Sequence, residues 1–429
     1  MISLKDVVTP PFGMKAVTHE ELKALLERQY FLTTKGLKPY ALLVVGVTGV
    51  GKTTVVMDAC RSIAEQLNRP LVVDKPEKST EAFVVRIYHL SRVMPDTIAG
   101  VPWPDGKVVR RLVPEELYYF SKEYEEEVGG RVTGCIFLDE FGQAPDRTTM
   151  NAVQQLLHDR RLEGIELADG VMVVGATNMW CKGDYEDLRE LQDNVLARLK
   201  RVYLPPPDVK DWNTYAMKKG VHWTVPAFLE LNPELIWCKS EGWIATPRSW
   251  ESAGLEIAHV EEETGLDVDV FADIVATYNG LSIAKNFEQF LKLVAHVSLE
   301  EVLENPAEVL DLPKDVQIAI VYNACGLAKR DPSRLKQILK LVLTLLYGTA
   351  NEGAWMKITE AIQRDKRFDN VLETIKKVST DKAQTDLAIA MIKQLKNLVG
   401  DGKLRQAVNE MGALRKPLLY VNAFGVQLF

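Results

Sequence analysis

The chain has 429 residues, of which 47% are hydrophobic and 26% charged, and its formal net charge is -7 at pH 7. That balance is typical of a folded globular protein, and the length is enough for two or three domains. The acidity argues against a protein that coats nucleic acid, because neutralising phosphates takes clustered lysine and arginine, but it leaves room for a local basic loop.

The sequence has no pattern typical of a zinc site, a disulfide framework, a secretion signal or a membrane span. Its five cysteines are scattered without CxxC spacing, which predicts reduced thiols. Met1–Met14 lacks the apolar segment of a signal peptide, and no apolar run reaches the roughly 18 residues that a membrane span needs. We therefore expect a cytoplasmic protein. The cysteines are Cys60, Cys135, Cys181, Cys238 and Cys325.

Residues 1–205 alternate between short apolar runs and helical sequence. Four runs end in glycine or polar residues and have no polar side, as strands do when both faces of a parallel sheet are buried. Strand, helix and strand in succession form a right-handed α/β unit. We therefore predict a three-layer α/β core with a parallel sheet over 1–205. The predicted strands are Ala41–Val45, Phe83–Tyr88, Cys135–Leu138 and Val171–Gly175.

The first of these runs leads into an octet, GVTGVGKT at residues 46–53, which fits the phosphate-loop pattern GxxxxGK[ST] in full. Helical sequence follows from Lys52 to about Asn68, so the octet has the strand and helix that this motif requires. Its glycines let N–H groups converge on phosphate oxygens at a helix N-terminus. Lys52 is expected to reach the β and γ phosphates, and the Thr53 hydroxyl to bind Mg²⁺. The predicted nucleotide-binding residues are Gly46, Val47, Thr48, Gly49, Val50, Gly51, Lys52, Thr53 and Thr54.

The third apolar run ends in two acids, Asp139 and Glu140. A buried parallel strand carries its last residues to the carboxyl edge of the sheet, where the phosphate loop also lies. Asp139 is therefore expected to complete the Mg²⁺ shell, and Glu140 to orient and deprotonate the water that attacks the γ-phosphate. Because acids are common in loops, this pair alone is a weak signal for an ATPase motif. Together with the phosphate loop that precedes it, the pair is a strong one.

These motifs together resemble those of AAA+ ATPases. Leu138–Pro145 resembles the second ATPase motif of the MoxR-like branch, where a small polar stretch and Ala-Pro follow the acid pair, and a helix follows here from Asp146 to about His158. Val173–Asn178 resembles the strand that ends in the sensor-1 asparagine. The resemblance therefore gives Asn178 the role of helping to place the attacking water, the alternative being an asparagine in an ordinary turn.

Two arginines complete the resemblance. Asn194–Leu204 corresponds to the segment where the family places an arginine finger that enters the neighbouring subunit's site. Arg198 is the leading candidate for this finger. Because the segment departs from the commoner Asp-Arg-Phe form, Arg201 is a second candidate, and an arginine with no role beyond the surface is the alternative. Ile244–Ser249 resembles the sensor-2 segment, which implies that Arg248 touches the γ-phosphate from the lid.

After Pro205–Pro207 the sequence becomes mostly helical. The resemblance implies a P-loop NTPase (AAA+) core followed by an α-helical lid over 206–305, with a C-terminal helical region over 306–429. In that region Asp331–Pro332 predicts the start of one helix, and Gly400 predicts the end of another.

The resemblance implies an ATPase that uses ATP and Mg²⁺ and works as a homo-oligomer, in the form of a closed ring of six. MoxR-like ATPases are similar to chaperones that act on partner proteins, often ones with a von Willebrand factor A domain, so a protein remodeller is the leading expectation. One alternative is a nucleic-acid motor or loader, in which the basic segments Lys107–Arg111 and Arg198–Arg201 would bind phosphates. A non-enzymatic nucleotide switch is the other, and the complete catalytic set argues against it.

Between the phosphate loop and the acid pair lies a long stretch that predicts a hairpin. Asp105-Gly106 is a turn signal between two apolar arms. AAA+ branches related to MoxR carry an insert in their second helix that faces the pore of the ring. The resemblance implies that Trp103 and Lys107–Arg111 contact a substrate or the neighbouring subunit, whereas a surface hairpin with solvated charges is the alternative.

Overall fold

Three prolines, Pro205–Pro207, end the first of two units, which comprise residues 2–207 and 208–429. The computed structural model describes residues 4–10, 13–143, 146–162, 164–178, 197–240, 242–364, 382–415 and 418. Each unit has its own buried apolar core. The division of the second unit into a lid and a C-terminal region stays a prediction.

The first unit is built around a seven-stranded parallel sheet. The strands of this unit are β1 (Lys15–Ala16), β2 (Leu42–Gly46), β3 (Leu71–Val73), β4 (Phe83–His89), β5 (Val101–Asp105), β6 (Val108–Leu112), β7 (Gly134–Asp139), β8 (Arg161–Leu162), β9 (Ile165–Glu166), β10 (Val171–Asn178) and β11 (Lys200–Tyr203). The order in the sheet is β1-β11-β2-β10-β7-β4-β3, and each neighbouring pair is parallel. Strands β5 and β6 form one separate antiparallel hairpin, and β8 and β9 form another.

The central strands are apolar up to their carboxyl ends, as expected when both of their faces are covered. Every residue of β2 is buried, as are residues 134–138 of β7 and 171–177 of β10. Such strands leave no face for polar side chains, which is why they read as unbroken apolar runs. The predicted parallel α/β core is confirmed, and its four predicted strands are present with small shifts in their bounds.

Helices of the first unit pack against this sheet, with α2 and α7 on β10 and α3 on β4 and β7. These helices are α1 (Leu4–Val8), α2 (His19–Thr33), α3 (Lys52–Gln66), α4 (Pro95–Ala99), α5 (Glu115–Tyr118), α6 (Lys122–Val128) and α7 (Arg147–Asp159). A capping box of Thr18 and Glu21 begins α2. The side-chain amide of Gln29 then ties α2 to the sheet by donating to the Val173 carbonyl over 3.1 Å.

The second unit is mostly helical, with one short antiparallel hairpin of β12 (Cys238–Ser240) and β13 (Trp243–Ala245). Its helices are α8 (Val209–Lys219), α9 (Thr224–Leu231), α10 (Pro247–Thr264), α11 (Val268–Asn279), α12 (Leu281–Val294), α13 (Leu299–Glu304), α14 (Lys314–Arg330), α15 (Leu335–Tyr347), α16 (Glu352–Arg364), α17 (Lys382–Val399) and α18 (Asp401–Glu410). No described helix combines the length and the apolarity that crossing a membrane requires.

Two predicted helix boundaries are shifted slightly in the structure, and local contacts explain both shifts. Helix α3 stops at Gln66 rather than near Asn68, which takes a left-handed φ of 53°. Asp331 caps a 3-10 turn over Pro332–Arg334, with Pro332 at its first position, and α15 begins only after this turn. The Asp331 carboxylate accepts from the backbone N–H of Ser333 over 3.0 Å. Gly400 does end α17, as predicted, with a φ of 84°.

Four of the five cysteines lie in described residues, and each is a buried free thiol. Burial raises the pKa of the Cys325 thiol, which keeps it protonated and inert at neutral pH. The fifth, Cys181, lies outside the described residues. The thiols that the structure describes therefore act as core side chains.

Gly134, the first residue of β7, has no room for a side chain. A Cβ there would press on the Val84 carbonyl oxygen and lie 2.7 Å from Cε1 of Phe120. Because sheet backbone cannot move aside cheaply, we expect Gly134→Ala to lower the free energy of unfolding by about 1–3 kcal/mol, the usual cost of overpacking. Urea denaturation followed by circular dichroism measures this loss. Gly130→Ala is the matched control, since its Cβ would only touch the Thr80 side chain at 3.4 Å, and an equal loss in both variants would contradict overpacking as the cause.

Candidate functional site

The carboxyl ends of four strands meet at one edge of the first unit's sheet. Strand β10 lies between β2 and β7, and β4 lies beside β7. In this register Asn178 is opposite Gly46, and Asp139 is opposite His89. Parallel sheets bind ligands at this edge because all of their strands end there. The sheet therefore brings the ends of the separate sequence motifs together.

The phosphate loop connects the end of β2 to the start of α3 and depends on its glycines. Gly49 and Gly51 have φ values of 79° and 92°, in the left-handed region that favours glycine. Gly46 is required for space instead, because a Cβ there would lie 2.6 Å from the Leu204 carbonyl oxygen. A loop of this shape, which ends where α3 begins at Lys52, directs backbone N–H groups towards an anion.

The ammonium of Lys52 lies inside this loop, and the residue is only 8% exposed. Its Nζ donates to the carbonyl oxygens of Gly46 (2.9 Å) and Val47 (3.1 Å) and to Oδ1 of Asn178 (2.9 Å). These bonds use donors that an ammonium must satisfy when its charge is buried. A phosphate oxygen that binds Lys52 has to take the place of one of these acceptors, so Asn178 on β10 is linked directly to the phosphate position.

Thr53 and Asp139 bring two oxygens together beside the loop. The Thr53 hydroxyl donates to Oδ2 of Asp139 over 3.2 Å, and Oδ1 accepts from the Glu140 N–H over 2.9 Å. Mg²⁺ binds oxygen ligands octahedrally at about 2.0–2.1 Å, which places neighbouring ligands about 3 Å apart. This hydroxyl and carboxylate therefore fit a magnesium site whose other positions belong to water and phosphate.

Glu140 leaves the strand with a strained backbone. Its φ is 56°, in a region that costs a residue with a side chain about 1–3 kcal/mol. The Glu140 carbonyl accepts from the Gln143 N–H over 2.8 Å, at the 3-10 turn Phe141–Gln143. The Ser91 hydroxyl donates to Oε2 of the Glu140 carboxylate. The turn and this hydrogen bond together fix where the carboxylate points.

Sequence patterns do not single out Ser91 or His89, although both lie at the site. His89 ends β4, and its Nδ1 is 3.9 Å from Oδ2 of Asp139, while Ser91 lies in the 3-10 turn Leu90–Arg92. A signal for both was present, because polar residues that follow any buried parallel strand lie at the carboxyl edge of the sheet. A third residue, His19, contacts the phosphate loop from α2, and no local pattern marks it.

The three predicted arginines follow the motifs of this edge in the sequence. Arg198 precedes β11 and Arg201 lies on it, and both are exposed. Arg248 is exposed in the first turn of α10, behind a capping box, so the predicted helix opening is present. The roles of all three stay predictions. The Ala-Pro pair at 144–145 and the segment 179–196 lie outside the described residues.

Residues 41–193 match the family described as AAA domain (dynein-related subfamily). The first unit has the AAA+ P-loop NTPase fold. The matched segment contains the phosphate loop, the acid pair of Asp139 and Glu140, and Asn178, so all three motifs at the sheet edge lie within it. None of the curated proteins matches the sequence.

Several solved structures are weakly similar to this chain over 70–91% of its length. NtrX from Brucella abortus is 16% identical, with a TM-score of 0.34 over 70% of this chain and 70% of that one. ORC2 from Aeropyrum pernix, in ADPNP–ADP complexes, is 13% identical, with a TM-score of 0.37 over 90% and 94%. ORC1 from the same organism, in complex with DNA, is 16% identical, with a TM-score of 0.31 over 91% and 86%. Similarity at this level brings none of those proteins' ligands to this chain.

The hydrogen bond from Ser91 generates a prediction about Glu140. The hydroxyl occupies a carboxylate oxygen that Glu140 would need for water in its expected role of general base. We therefore expect Ser91→Ala to raise basal ATP turnover by up to roughly tenfold, the equivalent of about 1.4 kcal/mol. Steady-state phosphate release measures the rate. Ser62→Ala, on the outer part of α3, is the control and should leave turnover unchanged. A rate that falls in Ser91→Ala would mean that Ser91 supports Glu140 rather than competing for it.

Proposed function

We propose that this chain is an ATPase that hydrolyses ATP with Lys52, Thr53, Asp139, Glu140 and Asn178. The observation that carries the proposal is the convergence of these side chains at one sheet edge, where Lys52 meets Asn178 at 2.9 Å and Thr53 meets Asp139 at 3.2 Å. Motifs in the correct order could belong to a degenerate domain. Motifs that also touch one another form a site on which phosphate, metal and water can meet.

The chemistry of each side chain suggests its role. Lys52 and the loop N–H groups bind the phosphates, and Thr53 and Asp139 hold Mg²⁺, which supplies positive charge to the phosphoryl oxygens. Glu140 accepts the proton of the attacking water. Oδ1 of Asn178 is directed to Lys52, which leaves the amide N–H₂ group to donate to that water. Water held between an amide donor and a carboxylate acceptor is oriented for attack.

The proposal extends to a closed homo-oligomer, with six subunits as the expected form. Arg198, or Arg201 in its place, would act in the neighbouring subunit's site, where a guanidinium stabilises charge that develops on the γ-phosphate. Both residues are exposed and so accessible to a neighbour. Arg248 would add a sensor-2 contact from the second unit.

The finer proposal is a MoxR-like remodeller of partner proteins, such as those with a von Willebrand factor A domain. The net charge of -7 suits a protein partner better than a nucleic-acid track. The hairpin β5–β6 also exposes apolar side chains, with Trp103 57% and Val109 70% accessible. Exposed apolar groups with polar neighbours are typical of surfaces that bind other proteins.

The same hairpin favours one alternative, a nucleic-acid motor or loader. Trp103 pairs in register with Arg110, and Lys107 and Arg111 lie nearby in the same hairpin. An aromatic ring among cations can stack the bases of a single strand and bind its phosphates. Turnover that rises with single-stranded DNA and loses this rise steeply with added salt would favour this reading.

Glu140→Gln tests the proposed hydrolysis directly. The amide keeps the size of the side chain and cannot take a proton, so we expect turnover to fall by about 10²–10⁴-fold, the usual contribution of a general base. ATP binding and the size of the assembly should be retained. Phosphate release, nucleotide binding and sedimentation of the same samples measure the three quantities.

Glu126→Gln, on the exposed face of α6, is the matched control for this substitution and should behave as the wild type. Lys52→Ala should lose ATP binding as well as turnover, which separates a lost base from a lost phosphate site. Unchanged turnover in Glu140→Gln would mean that Glu140 is not the base, and the site would then have to be reassigned from Lys52 outwards.

Trp103→Ala combined with Arg110→Ala tests the role of the hairpin. Because the hairpin lies outside the nucleotide site, we expect basal turnover in the double variant to stay within about twofold of the wild-type rate. Stimulation of turnover by a partner protein or by single-stranded DNA should be lost. Removal of an aromatic side chain that stacks on a base alone weakens binding by about 1–3 kcal/mol. ATP turnover with and without each partner class measures this. Stimulation that survives both substitutions would exclude the hairpin as the contact surface.

A further inference from the structure

His19, the first residue of α2, contacts the phosphate loop from outside the matched AAA domain segment. Its Nε2 lies 2.8 Å from the carbonyl oxygen of Val50, and the same nitrogen would lie 3.4 Å from a Cβ on Gly51. We propose that His19 is a positioning residue, which holds the peptide between Val50 and Gly51 so that the Gly51 N–H faces the phosphates of a bound nucleotide. This proposal rests on the proposed ATP site.

The chemistry of the contact fixes the direction of the hydrogen bond. A carbonyl oxygen can only accept, so Nε2 of His19 must carry the proton and donate to Val50. The neutral ring therefore has its hydrogen on Nε2 and a bare Nδ1. A side chain of similar size without a donor could fill the space but could not hold the carbonyl.

The geometry of the peptide bond carries the effect of His19 to the other side of the loop. A trans peptide is planar, and its C=O and N–H point in opposite directions. Because His19 holds the Val50 carbonyl on one side, the Gly51 N–H is directed to the other side. Gly51 tolerates this orientation with a φ of 92°, and its own carbonyl begins the helix ladder of α3 by accepting from Val55 over 2.9 Å.

The position of His19 is itself fixed by contacts on both sides of it in the sequence. The capping box of Thr18 and Glu21 orders the first turn of α2. The N–H of Val17 donates to the Tyr203 carbonyl over 2.9 Å, and Gln29 ties the far end of α2 to β10. The imidazole is therefore a fixed donor that restrains a glycine-rich loop, which would otherwise have to lose conformational freedom on binding a nucleotide.

Three variants separate this role from a simple packing role. His19→Leu keeps apolar volume and removes the donor, His19→Gln replaces Nε2 by an amide nitrogen at a similar reach, and Glu20→Gln alters the exposed first turn of α2 as the control. The ligands are ADP and adenosine, because adenosine lacks the phosphates that the Gly51 N–H would bind. Calorimetry or competition gives the dissociation constants.

We expect His19→Leu to weaken ADP binding by about tenfold with adenosine unchanged, because the hydrogen bond that orients the Gly51 N–H is lost. His19→Gln keeps a donor and should stay within about threefold of the wild type. If His19→Leu binds ADP as tightly as the wild type does, the positioning role is overturned and the proposed function still stands. Equal weakening of ADP and adenosine would also overturn it, because His19 would then act on the base. Wild-type protein that binds no ADP would overturn both proposals.

The tautomer of His19 provides a second measurement, which is made on the wild-type protein. The chain has six histidines, so ¹⁵N-histidine labelling of the wild-type protein, with His19→Gln for assignment, identifies the ring of His19. We expect the hydrogen of the neutral ring to be on Nε2. A neutral ring that carries its hydrogen on Nδ1 cannot donate to Val50 and would overturn the proposal.

Discussion

The buried ammonium of Lys52 is the constraint around which the site is arranged. A cation that is 8% exposed is tolerated only where its protons meet acceptors, and these come from the loop carbonyls and from Asn178. Asn178 can supply one because β10 lies beside β2 in a register that sets it opposite Gly46. A slip of β10 by one residue would turn Asn178 to the other face of the sheet and would remove an acceptor from the Lys52 ammonium. The register of β10 therefore helps to stabilise this buried charge.

Asp139 and Glu140 are adjacent in sequence but have different surroundings, and the backbone separates them. Asp139 ends β7 and accepts from the Thr53 hydroxyl and from a backbone N–H, as suits the proposed role of a metal ligand. Glu140 turns out of the strand with a φ of 56° and faces Ser91 instead. The strain therefore keeps the proposed base apart from the proposed metal ligand, and strain of this kind is common where function requires an unusual backbone.

Patterns in the sequence predicted those features that local chemistry determines. Unbroken apolar runs predicted the central strands, and the glycines and Lys52 of the octet predicted the loop that joins β2 to α3. The contacts of Ser91 with Glu140 and of His19 with Val50 could not be found in this way, because they join residues 49 and 31 positions apart. Such pairs depend on which strands become neighbours. The proposed role of the finger depends on a second subunit, which no pattern in one chain describes.

Hydrogen bonds hold the phosphate loop and the first turn of α3 at three points, and one of these bonds links the phosphate position to the sheet. Lys52 joins the loop to β10, the Thr53–Asp139 bond joins α3 to β7, and His19 joins the loop to α2. A phosphate oxygen that takes Nζ from Asn178 releases an amide that lies between the loop and the strand of the proposed base. One such hydrogen bond is worth about 1 kcal/mol, which changes a two-state population about fivefold. In the proposed site, a single side chain, Asn178, would therefore couple occupancy of the phosphate position to the orientation of the attacking water.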